Sequence, residues 1–329
     1  PLLPQSVASI NAANSSRLQR GNPLMLITTA LKVLASVGAA LRVLRKVAPD
    51  VVVGFGGYVS LPIGVAATLK GVPLVLHEQN SVPGLANRIL ARWARAVAVT
   101  YAESADGLAR AGSVVVTGNP VRDAVLEASR ERGREALGVR DDAVVVLVFG
   151  GSRGARHINE AMRSLAPRLL GEPRVQVIHV AGHAEYGDVV RALDDVLGAD
   201  AGRYTVLDYV ERMGDAIAAS DVVVARAGAT SIAEITAIGR ASVLVPYPYA
   251  TDDHQTGNAR AVADAGGAII VPDGELDTPR FAEAVLSLVS DAAARGRMAE
   301  AAARLGHRDA TQRVASVVLG AVGPRKETR

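Results

Sequence analysis

The 329-residue sequence contains no cysteine. Disulfides, thiolate nucleophiles and zinc–thiolate centres are therefore excluded, and a reducing compartment is compatible with the composition. Aromatic residues make up only 3% of the chain while hydrophobic residues make up 49%. Cores must then be built from Ala, Val and Leu, and that apolar content favours packed domains over disorder. Nowhere does an apolar run approach the roughly 18–20 residues that a bilayer span requires. The first twenty residues, PLLPQSVASINAANSSRLQR, lack the basic start and apolar stretch of a signal peptide. Asp-x-Asp is absent, so a divalent ion chelated to a sugar diphosphate is not indicated. The six histidines show no H-E-x-x-H spacing. No metal and no cofactor are expected. A net charge of +3 is too small to point to nucleic acid, but it permits modest attraction to anionic lipid or a phosphate-bearing substrate.

What is present reads as two domains of α/β type. The 32 glycines and repeated short valine runs suggest parallel strands joined by tight turns. Apolar residues at Ile27, Leu31, Leu34, Val37, Leu41 and Leu44 recur with helical period, predicting a helix over 24–47 that Pro49 ends. Strand-like runs follow at 51–53, 74–76, 97–100 and 114–116. The charged stretch EASRERGREALGVRDD is expected to be a linker over 127–142, with one domain before it (1–126) and another after it (143–329). The second domain restarts the alternation at 144–149, and further strands are expected at 175–181, 204–207, 222–225, 243–245 and 268–271. From Thr278 the chain is helical, and the last helix is expected to return to the first domain. The first domain is expected to be incomplete, because no glycine-rich strand-to-helix turn precedes Val51, and the opening reads as a cut or processed end.

Four stretches carry chemistry, and each has a plain structural alternative. Gly54-Phe-Gly-Gly-Tyr-Val-Ser60 follows a strand, where glycines allow either a sharp turn or the close approach of a ligand. His77-Glu78-Gln79-Asn80 is expected as a polar loop at a strand's carboxyl end, where open α/β sheets bind ligands; a hydrogen-bonded loop explains it equally well. Phe149-Gly-Gly-Ser-Arg-Gly154 leads from strand to helix, so backbone N–H groups with the Ser152 hydroxyl can cradle a phosphate. It is neither G-x-G-x-x-G nor a P-loop. The run 226–234 (RAGATSIAE) again opens a helix after a strand, and is followed by PYPYATDDHQ at 246–255 and by Asn258. Glu234 could accept from ribose hydroxyls, or simply be an acidic residue favoured by the helix dipole. Gln255 could contact a sugar.

Together the segments PDVVVGFGGYVSLP, VPLVLHEQN, TGNPVR, FGGSRGA, ARAGATSIAE and DDHQTGNA resemble the MurG family of glycosyltransferases, in the family's order and spacing, from about Leu31 to the end. The resemblance implies a GT-B fold, two Rossmann-like doubly wound domains facing across a cleft, with the nucleotide sugar held mainly by the second. It implies metal-independent, inverting transfer of N-acetylglucosamine from UDP-N-acetylglucosamine to an undecaprenyl-diphosphate-linked muramoyl-pentapeptide. The work would be done by a peripheral protein at the inner face of the cytoplasmic membrane. Position by position, it implies donor contacts at Asn80, Arg122, Ser152, Val210, Ala229, Thr230, Ser231, Glu234 and Gln255. Glu78, oriented by His77, is the candidate to take the acceptor proton. The family's opening glycine-rich turn ending in His has no counterpart here, and roughly three strand–helix units are expected to be missing. A UDP-sugar epimerase on the same fold and a non-catalytic UDP-sugar-binding fragment are the alternatives. The apolar stripe of the 24–47 helix, with Lys32, Arg42, Arg45 and Lys46 nearby, offers either a membrane-docking face or a core face.

Overall fold

The computed structural model describes residues 23–108, 111–151 and 156–322, and side chains only from Ala35 onward. Its contacts divide into two units. One holds the described residues up to Gln79, then Pro83–Thr117 and the chain from Gln312; the other holds Asn80–Val82 and Gly118–Thr311.

The first unit begins with helix α1 (Pro23–Val47), then β1 (Val52–Gly54), α2 (Ser60–Lys70), β2 (Leu74–Glu78), α3 (Leu85–Leu90), β3 (Ala96–Val99) and β4 (Val114–Val116). The strands form a parallel sheet in the order β1-β2-β3-β4. Ala40 and Leu44 are buried in its core with Val52, Leu74, Leu76, Leu90, Val97 and Val99, and Val37 and Leu41 pack against them. The described part of the α1 stripe is therefore a core face. Ile27, Leu31, Lys32 and Leu34 lie outside the described side chains. Arg42, Val43, Arg45, Lys46 and Val47 are exposed on the rest of the helix.

The second unit continues with α4 (Asp123–Leu126), α5 (Arg130–Ala136), β5 (Val144–Phe149), α6 (Arg156–Leu170), β6 (Val175–Val180), α7 (Tyr186–Leu197), β7 (Tyr204–Leu207) and α8 (Met213–Ala219). It goes on through β8 (Val222–Arg226), α9 (Ala229–Ile238), β9 (Ala241–Val245), α10 (His254–Ala263), β10 (Ala268–Ile270), α11 (Pro279–Ser290), α12 (Ala292–Leu305) and the start of α13 (Ala310–Ala321). Its parallel sheet has the order β10-β9-β8-β5-β6-β7. Both faces are covered: Val146 and Val148 point into one core with Ile158, Met162 and Phe281, and Val145 and Leu147 into the other with Ile217, Ile232 and Ile235. Burial on both sides is why these strands read as largely apolar runs instead of alternating patterns.

Residues 127–142 do not form a linker. Ser129 caps α5 by accepting from Arg132 N, and the backbone N–H of Ser129 donates to Asp215 Oδ1 at 2.8 Å. Arg132 and Arg212 also donate to Asp215, tying α5 to α8. Burial raises the Asp215 pKa, but these hydrogen bonds outweigh it and hold the carboxyl down at about 2. Three of the arginines that suggest a solvated segment, Arg130, Arg132 and Arg134, are instead held by acceptors within the unit. Among the described residues no helix is long and apolar enough to cross a membrane.

Candidate functional site

In the second unit the chain leaves β5 towards β6 and β7 on one side and returns through β8, β9 and β10 on the other. The direction reverses between β5 and β8, where Phe149, the last residue of β5, pairs in register with Ala225 near the end of β8. At such a switch point the connections leaving adjacent strands diverge, opening a crevice beyond the carboxyl ends. Both glycine turns singled out in the sequence leave from these two strands. Gly151 has φ +74°, a left-handed conformation that glycine adopts without strain. Ser152 lies outside the described residues. After β8 comes Gly228, which caps α9 with an extended backbone and no side-chain cap bond, so the first N–H groups of α9 keep no intrahelical partner. Thr230 is exposed there, and Ala229 and Ser231 are half-buried.

Glu234 lies in the second turn of α9, beyond the reach of the helix dipole's end charge, which rules out the first-turn explanation. It is buried, and its Oε1 accepts from Arg122 Nη2 at 3.1 Å. The two side chains are unequal: Arg122 is 69% exposed and Glu234 only 7%. Arg122 stands at the start of α4 after Gly118, where φ is +78° and a Cβ would lie 2.3 Å from His307 Cβ. The glycine of TGNPVR is thus required by the close approach of His307.

The loop before α10 contains Asp252 and Asp253 at φ 52° and 50°, unusual for non-glycine residues but tolerated by Asp. Gln255 Oε1 accepts from Tyr247 N at 2.9 Å, which orients the amide. Asn258, named in the motif but given no role, proves to be the junction. Its Nδ2 donates to Asn80 Oδ1 (3.1 Å) and to Ala227 O (3.3 Å), and its Oδ1 accepts from Ser81 N (2.8 Å). Gly257 makes this contact possible, since a Cβ there would meet Ser81 Oγ at 2.2 Å. Asn80, expected as a first-domain residue, is therefore bonded within the second unit and groups with it. Val210 is half-buried against the core after β7.

In the first unit the expected polar loop is partly strand. His77 and Glu78 extend β2, pairing with Ala98 and Val99, and both are buried. Glu78 Oε2 accepts from Gly84 N (3.0 Å) and Asn87 Nδ2 (2.8 Å), and Asn87 also donates to His77 O. His77 faces Phe55, with ring centroids 5.5 Å apart. The Glu78 carboxylate is engaged in holding the β2–α3 connection, which corrects its expected position in an open loop. The Gly54–Ser60 stretch is a turn in which Ser60 Oγ donates to Gly56 O and Gly57 O, with Phe55, Tyr58 and Val59 exposed.

Two family models match: the glycosyltransferase family 28 N-terminal domain over residues 6–99 and its C-terminal domain over 145–314. A curated relative from Moorella thermoacetica is 41% identical over 299 residues, covering 90% of this chain and 80% of its own length. One from Desulforudis audaxviator is 37% identical over 320 residues, covering 96% and 86%. Both carry the name UDP-N-acetylglucosamine–N-acetylmuramyl-(pentapeptide) pyrophosphoryl-undecaprenol N-acetylglucosamine transferase. The crystal structure of Acinetobacter baumannii MurG superposes with a TM-score of 0.72 at 30% identity, covering 88% of this chain and 79% of that one. A UDP-GlcNAc 2-epimerase from Neisseria meningitidis gives 0.67 at 16% identity, covering 96% and 88%, and shares the fold. With both family 28 domains matched and relatives at this identity across nearly the whole chain, the protein belongs to the MurG family of family 28 glycosyltransferases.

Proposed function

We propose that the chain transfers N-acetylglucosamine from UDP-N-acetylglucosamine to an undecaprenyl-diphosphate-linked muramoyl-pentapeptide, completing the disaccharide of a cell-wall precursor. The carrying observation is the pair of glycine-to-helix turns on adjacent strands at the switch point of the second unit, in a chain of this family. In this reading the amino ends of α6 and α9 receive the diphosphate, where backbone N–H groups and helix dipoles favour negative charge. Ser152, next to Gly151 in sequence, is proposed to meet the phosphate side. Val210 and Ala229–Ser231 wall the uridine, Glu234 accepts from the ribose and Gln255 reads the sugar. Arg122 sits beside the Glu234 carboxylate that meets the ribose and adds positive charge near the departing diphosphate. Asn80 is placed by Asn258 at the same edge. The acceptor hydroxyl attacks the anomeric carbon as the carbon–oxygen bond to the diphosphate breaks, with inversion; the hydroxyl gives up its proton to a base and uridine diphosphate leaves. Preorganised N–H donors meet the charge that develops on the leaving oxygen.

A transfer assay with UDP-N-acetylglucosamine and a short-chain lipid acceptor tests this. Formation of the disaccharide is expected. Donor binding without transfer would favour the non-catalytic alternative, and conversion to UDP-N-acetylmannosamine would favour an epimerase. Calorimetry with uridine diphosphate in the presence of a chelator should show undiminished binding. A requirement for magnesium would reverse the metal-free reading.

The acceptor's lipid tail would place the enzyme at the inner face of the cytoplasmic membrane, bound peripherally. The outward side of α1, with Arg42, Arg45 and Lys46, is the basic surface proposed to meet anionic headgroups. Replacing all three with Glu should weaken co-sedimentation with phosphatidylglycerol vesicles, by roughly fivefold or more per charge, and leave uridine diphosphate binding intact. Unchanged co-sedimentation would move the docking surface elsewhere.

A further inference from the structure

A second polar cluster in the second unit stands beside the two glycine turns and has no part in the scheme above. Arg226, the last residue of β8, is buried, and its Nη1 donates to Asp273 Oδ1 and lies within 3.4 Å of Val245 O and Pro246 O. Its guanidinium carbon is 5.5 Å from the centroid of the Tyr247 ring. Asp273, in the segment following β10, offers its other oxygen to His157 Nδ1 at 2.9 Å. His157 Nε2 meets Asp277 Oδ2 at 3.3 Å. Arg226, Asp273, His157 and Asp277 thus form a chain linking the end of β8 to the first turn of α6. Arg226 lies two residues before the Gly228 turn, and His157 lies three residues after Gly154.

The geometry around His157 fixes its chemistry. Both ring nitrogens face carboxylate oxygens, and a neutral imidazole has only one N–H to donate. Only the imidazolium completes both bonds. No other contact accounts for a cation there: positive charge at a helix amino end is opposed by the helix dipole. Two neighbouring arginines are committed elsewhere. Arg156 of α6 pairs with Glu185, and Arg280 pairs with Glu275 in the Asp273 segment. The hydrogen bond to Asp273 raises the His157 pKa above its ordinary 6.5, against opposition from partial burial and with further support from Asp277. Burial raises the pKa of Asp273 in turn, but the bonds from His157 and Arg226 outweigh it and lower the carboxyl overall.

We infer that His157, through Asp273 and Arg226, is a positioning residue that pins the first turn of α6 against the β8 turn and so sets the geometry in which the donor diphosphate is held. This rests on the donor reading given above. Protonated His157 also places a positive charge in the first turn of α6. Its stabilising contribution is fully present below about pH 6.5 and is lost as pH rises through the raised folded value. Donor affinity should follow the same course. Three signals kept the device out of the motifs: His157 follows the FGGSRGA run, Asp273 lies outside the stretches singled out in the sequence, and 116 residues separate them.

Steady-state rates on the full chain from pH 6.5 to 9, with the short-chain acceptor, test the inference alongside His157→Leu and His157→Lys. For the natural protein the donor KM should rise about three- to tenfold across this range as the imidazolium is lost, with kcat following the same profile in all three proteins. His157→Leu should show the high KM throughout, with no slope. His157→Lys keeps a donor and a charge that does not titrate here, so its KM should stay low and flat. Melting temperatures are measured in parallel. If the three proteins share one KM profile, or differ only in melting temperature, His157 is a structural tether and the inference fails. If the natural protein binds no uridine diphosphate at any pH, the donor reading itself falls and takes the inference with it.

Discussion

Glu234→Ala should weaken uridine diphosphate binding by about 1–3 kcal/mol, roughly five- to 150-fold, the scale of a lost charge-assisted hydrogen bond. Its melting temperature should hardly move. The reason is the asymmetry of the ion pair, because Arg122 is 69% exposed and remains solvated when its partner goes. The reverse substitution is not equivalent. Arg122→Ala leaves a carboxylate that is only 7% exposed without the cation that compensates it. Orphaning a buried charge costs on the order of 3–5 kcal/mol before the site relaxes, so Arg122→Ala should lower stability as well as affinity. Calorimetry and thermal unfolding on both variants separate the two effects. If Glu234→Ala binds uridine diphosphate normally and melts early, the pair serves the fold alone and the ribose contact must be sought elsewhere. Donor binding must also break or reshape the pair, so Arg122 is expected to move to the diphosphate as Glu234 is taken by the ribose. Fluorine NMR on a probe placed near Arg122 would report that exchange as a ligand-dependent shift.

The elements carrying this site were legible because their signals are local. The run Val144–Phe149 is buried on both faces, and each glycine turn sits directly after an apolar strand, so neither depends on distant partners. Contacts that depend on sheet order were not legible. Asn258 and Asn80 are 178 residues apart and meet only because α10 starts where β9 has delivered the chain to the same edge. Helix α5 was hidden because its arginines look solvated in sequence, whereas Arg130 donates to Ala218 O, Ala219 O and Ser220 O and pairs with Asp221. The end of β2 was placed two residues early because hydrophobicity stops at Leu76, while the parallel ladder to β3 continues through Glu78. That error of two residues changes the chemistry assigned to the motif, because it turns a loop acid into a buried strand residue.

The consequence for Glu78 is large and measurable. Its carboxylate oxygen satisfies Gly84 N and Asn87 Nδ2 at the entrance to α3, and only 3% of the residue is exposed. Glu78→Ala removes the acceptor for both donors at a site water barely reaches, which should cost about 2–4 kcal/mol and loosen the connection from Ser81 to Leu85. Turnover should collapse with it, because Asn80 and Ser81, which meet Asn258, follow directly in sequence. Glu78→Gln keeps an acceptor oxygen of nearly the same shape and loses only the charge. If Glu78 positions the loop, this variant should fold almost normally and keep kcat within about tenfold of the natural protein, the range of a weakened hydrogen bond. If Glu78 takes the acceptor proton, the amide cannot do so, and kcat should fall by roughly 10²–10⁴ with the melting temperature and donor KM unchanged. The positioning role is the one the hydrogen bonds support. Paired measurements of kcat and melting temperature on the two variants decide between them, since the two roles order Ala and Gln differently against the same fold.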